Sequence, residues 1–183
     1  MRVKLFIASS IIILSFCVLL ISFYLHMEKK TVISAGEDPR MYGYVPYLDS
    51  FLYIDMDGMV LSVAKNTTDG IPIIEGLKFD HFSVGGCLET RNADDFKTAA
   101  RLISLFEKYN PDNRPVYSID ISNLENIHLY TNSMYVTFGT IQNADVKIRT
   151  LKEIIAKLRI SEGVKGLLDI SVIGRQYIFT ILT

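Results

Sequence analysis

The longest apolar stretch comes first: Leu5–Leu25, LFIASSIIILSFCVLLISFYL, carries no formally charged side chain over 21 residues. At 1.5 Å per residue a helix of that length reaches about 31 Å, close to the roughly 30 Å hydrocarbon layer of a bilayer. The pattern therefore predicts a transmembrane helix. A cleaved signal peptide would have an apolar centre of about 7–15 residues followed by small ones, whereas bulky Phe23, Tyr24 and Leu25 close this run. Lipidation at Cys17 would want a small residue before it, and Phe16 stands there. His26–Asp49 is then polar and broken by Gly36, Pro39, Gly43 and Pro46, which predicts a juxtamembrane linker over 26–49. Tyr42, Tyr44 and Tyr47 either sit at lipid headgroups, as interfacial aromatics do, or pack on the domain that follows.

From Phe51 the apolar spacing shortens to the period of strands. Phe51–Asp55 and Met59–Ala64 flank Asp57-Gly58, which predicts a hairpin closed by a type I′ turn. Asp55 and Asp57 resemble the start of a calcium loop, but the chain then runs apolar and lacks the later acidic ligands, so turn chemistry is the reading. Ile71-Pro72-Ile73-Ile74-Glu75-Gly76 contains a residue with no N–H, which predicts an edge or a strand entry rather than a central strand. Gly85-Gly86 reads as a turn, with no Lys-Ser/Thr after it to cradle phosphate.

At Asn92 the period becomes helical. Asn92 is placed as N-cap with Asp95 three residues on, and Phe96, Ala99, Ala100, Ile103 and Phe106 form a stripe that ends before Asn110-Pro111-Asp112. Val116–Ile121, Ile127–Tyr130 and Met134–Phe138 return to period two and predict a meander covered by helices on one face. A second helix, about Ala144–Leu158, starts after Asn143 and presents Ile148, Leu151, Ile155 and Leu158. Leu167–Ile173 and Gln176–Leu182, turning at Gly174-Arg175, predict a closing hairpin whose last strand lies at a sheet edge. The fold class expected is α+β: a single N-terminal transmembrane helix, then a mixed β-sheet domain over 50–183 with two packed helices.

Charge changes this picture little. The 19 basic and 20 acidic side chains nearly cancel, and setting aside Arg2 and Lys4 leaves 17 against 20. No basic face dense enough to neutralise phosphates is visible, which argues against nucleic acid. Arg2 and Lys4 before the span, with so short an N-terminal flank, favour an N-terminus-in orientation and place residues 31–183 outside the cytoplasmic membrane. Cys87 is the one cysteine beyond the span, so no disulfide can form within the domain. His26, His81 and His128 are scattered, with no ligand spacing for zinc. Asn66-Thr67-Thr68 fits a glycosylation triplet and is assigned no role. There is no G-x-S-x-G, no Cys–His neighbourhood and no carboxylate pair; Asp120, Glu125 and Asp169 read as turn residues. No catalytic, metal or cofactor-binding residue is assigned, no cofactor or small-molecule substrate is expected, and the expectation is a protein that is not an enzyme.

The order of these segments resembles the C-terminal β domain of the FtsQ/DivIB bacterial cell-division proteins. Tyr53-Ile54-Asp55-Met56-Asp57-Gly58-Met59-Val60-Leu61 and Ile71-Pro72-Ile73-Ile74-Glu75-Gly76 are similar to two signature stretches of that family. Ile119-Asp120-Ile121-Ser122, Asn126-Ile127-His128-Leu129, Val136-Thr137-Phe138-Gly139, Lys147 to Leu151 and Gly166-Leu167-Leu168-Asp169-Ile170 follow in the family's order. One departure stands out: the family places a POTRA domain of about 70 residues between anchor and β domain, and some 25 linker residues occupy that place here.

The resemblance implies a bitopic scaffold of the division machinery, single-pass in the bacterial cell membrane, with its β domain outside and at the division septum. It implies partners of the FtsL and FtsB/DivIC type, whose chain adds as a strand beside the C-terminal edge. The residues implicated are Tyr177, Phe179 and Ile181 on one face and Ile178 and Thr180 on the other. The alternative implication, given the missing POTRA domain, is a membrane-tethered accessory or sporulation-stage interaction protein built on the same β domain.

Overall fold

The structure, a computed structural model, describes residues 42–68, 70–109, 116–131, 133–158 and 165–182. Leu5–Leu25 and the first part of the expected linker lie outside the described residues. Among the described residues, no helix is long and apolar enough to cross a membrane.

Among the described residues, eleven strands and two helices follow one another. They are β1 (Gly43–Tyr47), β2 (Ser50–Ile54), β3 (Val60–Ala64), β4 (Ile73–Glu75), β5 (Phe79–His81) and β6 (Glu89–Thr90). Helix α1 (Ala93–Tyr109) comes next, then β7 (Val116–Asp120), β8 (Ile127–Thr131) and β9 (Met134–Gly139). Helix α2 (Ala144–Leu158), β10 (Lys165–Asp169) and β11 (Phe179–Leu182) complete the order. Nine strands form one sheet in the order β11-β10-β9-β8-β7-β4-β1-β2-β3, and β5 pairs with β6 separately. The α+β expectation of a mixed sheet with two helices is met: β4 runs parallel to β1 and β7, β9 parallel to β10, and the remaining neighbours antiparallel.

The alternation of side chains decides which face is covered. Leu52 and Ile54, Ile127 and Leu129, and Val136 and Phe138 alternate along their strands and are all fully buried. They share one core with Ala99, Leu102, Ile103 and Phe106 of α1 and Ala144, Ile148 and Leu151 of α2. The helices exist where they do for local reasons as well. Asn92 Oδ1 accepts from the Asp94 N–H at 3.1 Å, its amide reaches Asp95 at 2.8 Å, and Asp94 and Asp95 lie in the positive first turn. Asn143 takes a left-handed φ of 56° just before α2. On the opposite face a small cluster of Tyr44, Tyr53 and Leu61 is closed over by Ile71 and the loop before it, where the Tyr53 hydroxyl donates to the Asn66 carbonyl.

Several expectations need correcting. Residues 43–47, expected within the linker, are a strand in the middle of the sheet, because Pro46 and Gly43 do not interrupt its pairing with β2. Tyr42 and Tyr44 are correspondingly buried, so of their two readings packing is the one realised. The hairpin at Asp57-Gly58 forms, but not as a type I′ turn: Gly58 alone has positive φ, and the Asp55 carboxylate accepts from the Asp57 and Met59 N–H groups. Of the two readings of Ile71–Gly76 the strand entry is realised, since Pro72 lies just before the ladder and contributes only its carbonyl, which accepts from the Tyr44 N–H at 3.0 Å; the strand it enters, β4, is central rather than an edge. The last strand is shorter than expected, since the chain bends and turns over residues 171–175 and runs outside the ladder to 178 before β11 begins.

Gly76 ends β4 at φ 83°, and a Cβ there would run into the Ser122 backbone. Gly76→Ala is therefore expected to destabilise the domain by more than about 1 kcal/mol, because backbone strain and a backbone clash act together. Urea unfolding of variant and parent gives the difference directly.

Candidate functional site

The site is the end of the sheet formed by β9, β10 and β11. Strand β11 is the outermost, paired with β10 along Lys165↔Leu182, Gly166↔Ile181, Leu167↔Thr180 and Leu168↔Phe179, and with no strand of the described residues on its other side. Partners across a ladder point to the same face, so Phe179 and Ile181 share the helix-covered face with buried Leu168. Thr180 and Leu182 share the opposite face with Leu167 and Lys165. Of the five residues expected from the sequence, Phe179, Thr180 and Ile181 stand on the strand. Tyr177 and Ile178 precede it, Tyr177 half-buried against the core and Ile178 exposed.

Gly166 explains how so short a strand is held. The Phe179 ring lies over it, and a Cβ at position 166 would fall inside that ring. An aromatic side chain covering a strand glycine fills the space that the missing side chain leaves and aligns the two strands. Phe179 thus spends its apolar surface on the core, whereas Ile181, 59% exposed, and Leu182, 49% exposed, present theirs outward.

The helix-free face beside this edge is aromatic. Tyr130 and Tyr135 meet edge to face at 5.0 Å, and His128 stacks on Tyr135 at 4.9 Å. With Tyr117, Lys165 and Leu182 the two tyrosines border a shallow depression of about 190 Å³. Burial, and then the neighbouring Tyr135, push the Tyr130 hydroxyl above the usual tyrosine range, so it is an uncharged donor. On the other side of β9, Lys147 of α2 is buried: its ammonium donates to the Phe138 carbonyl at 3.0 Å and the Thr140 carbonyl at 2.9 Å and lies over the Phe138 ring. Burial lowers its pKa, with Asp169 opposing more weakly. Among the described residues no group of three or more His, Cys, Asp or Glu side chains could hold a metal.

Sequence reasoning missed Gly166, Lys147, Leu182 and the aromatic face. A glycine inside a period-two run was the signal for the first; no pattern announces a lysine that turns inward to cap a strand end.

These features define a class, a helix-backed mixed sheet whose terminal strand has no strand of the described residues along its outer side. Comparison gives the class relatives. The chain is 24% identical over 135 residues, 72% of its length, to a protein named cell division protein DivIB of Clostridium botulinum strain Hall. It is also 24% identical over 130 residues to one of the same name from the Loch Maree strain. The resemblance to the FtsQ/DivIB proteins read from the motifs is thereby found again by comparison over 70–72% of the chain. The chain spans about half the length of these relatives, 51% and 50%. No family model matches. No solved structure matches either.

Two outcomes follow. Gly166→Ala is expected to displace the Phe179 ring at a cost of about 1–3 kcal/mol, with amide exchange accelerating most across residues 179–182. Lys147→Met leaves two carbonyls without their donor and is expected to cost about 1–3 kcal/mol near neutral pH. Because burial lowers the folded-state lysine pKa, the unfolded chain binds the extra proton, so wild-type stability rises as pH climbs from that lowered value to the unfolded lysine range. The stability difference between wild type and Lys147→Met, measured by denaturant titration at successive alkaline pH values, should widen over that window. A difference that stays flat would show that Lys147 does not titrate as its burial requires.

Proposed function

We propose that the chain is a bitopic membrane scaffold of the bacterial division machinery. In this reading Leu5–Leu25 spans the membrane, the β domain stands outside the cytoplasm, and β11 receives a strand from a single-span partner of the FtsL or FtsB/DivIC type. The observation that carries the proposal is the open outer side of β11. Its backbone N–H and C=O groups supply ladder hydrogen bonds that any extended chain can satisfy, and its alternate side chains supply selection. Ile181 would contact the partner on the helix side, Thr180 and Leu182 on the aromatic side. The likeness to proteins named for cell division supports the cellular setting.

Deleting residues 177–183 is expected to abolish co-purification with a DivIC-like protein, and Ile181→Asp, at an exposed position, to weaken it while the domain still unfolds cooperatively. Unchanged capture by both variants refutes strand addition at this edge. A fluorescent fusion should gather at midcell during vegetative growth; expression confined to another developmental stage would favour the accessory role.

A further inference from the structure

We propose that the tip of the β1–β2 hairpin is a second contact with the bilayer, in which Leu48 rests among the lipid headgroups on a base of Tyr47, Phe79 and Phe82. The inference rests on the reading of Leu5–Leu25 as an anchor. Leu48 is 89% exposed and holds a left-handed φ of 50°. Tyr47 and Ser50 are paired, so Leu48 is the first central residue of a two-residue turn, where positive φ favours glycine. Leucine there neither eases the turn nor enters the core. The residue beneath it is well supported: the Tyr47 ring meets Phe82 at 4.9 Å and 74° and Phe79 at 5.8 Å. The result is one projecting apolar side chain on a packed aromatic footing.

The length of the tether names the occupant. Sixteen residues separate Leu25 from Tyr42, and extended they reach at most about 55 Å. β1 carries the chain a further five residues to the tip, about 16 Å. The tip is thus confined within about 70 Å of the anchor, and a contact too weak to bind a free protein becomes effective when it is intramolecular. Asp49 flanks the tip, and of the basic side chains beside Phe79 Arg91 is paired with Asp80 at 2.5 Å while Lys78 is exposed. The projecting group at the tip itself is apolar, so insertion into the headgroup layer is the chemistry it offers. The contact would fix the orientation in which the tethered domain presents its other surfaces.

The chain contains no tryptophan, so single Trp substitutions report position without background. The full chain is placed in phosphatidylcholine nanodiscs with and without brominated acyl chains. Leu48→Trp is expected to lose most of its emission to the brominated lipid and to emit at shorter wavelength than an exposed indole. Phe16→Trp, within the span, should be quenched, and Val172→Trp, in the connection after β10, should not. A quenched Phe16→Trp beside an unquenched Leu48→Trp overturns the contact alone. An unquenched Phe16→Trp overturns the anchor and the contact with it. Equal quenching at 48 and 172 overturns the tip as the point of contact.

Discussion

Burial of alternate strand residues beneath two helices, on one face only, is the interaction from which the rest of this structure follows. Leu52, Ile74, Ile119, Leu129, Val136 and Leu168 come from six strands and are buried in one core with α1 and α2. Because helix cover is one-sided, the opposite face is left to smaller arrangements: Tyr44, Tyr53 and Leu61 near one end, Tyr130, Tyr135 and His128 near the other. The ends of the sheet are what remain, and β11 is one of them. An open edge is a liability in an isolated domain, and the shortness of β11, four residues, limits it.

Much of this arrangement was legible because it depends on local periodicity. Ile148 and Leu151 mark α2 at a four- and three-residue step, and Ile127 and Leu129 mark β8 by alternation; both patterns are fixed by the backbone geometry of the element itself. The helix start at Asn92 was legible for the same reason, since its side chain can cap only the turn that follows it. What failed depended on distant partners. Pro46 reads as an interruption and Pro72 as the mark of an edge or a strand entry, yet β1 and β4 both lie inside the sheet, a fact set by neighbouring strands.

The candidate site divides the same way. The edge position of the last strand could be read from its place near the end of the chain, and Phe179, Thr180 and Ile181 with it. The inward turn of Phe179 could not, because it depends on Gly166 lying diagonally across the ladder from it, opposite Ile181, where the ring can cover it. Nor could Lys147, which is held by carbonyls at the end of β9 after the sheet has formed. A lysine within an otherwise amphipathic helix reads as solvated until its acceptors are in place.

The joint between the two halves of the sheet has a mechanical consequence. β4 is three residues long and meets β1 through the single register pair Tyr44↔Ile73. On the proposed reading the protein is tethered ahead of β1 and gripped at β11, so tension between membrane and partner runs across the strands. Ladder hydrogen bonds lie along that direction, which loads neighbouring strands in series like links of a chain. On that path the seam between β1 and β4, with its one register pair, is the shortest ladder in the sheet.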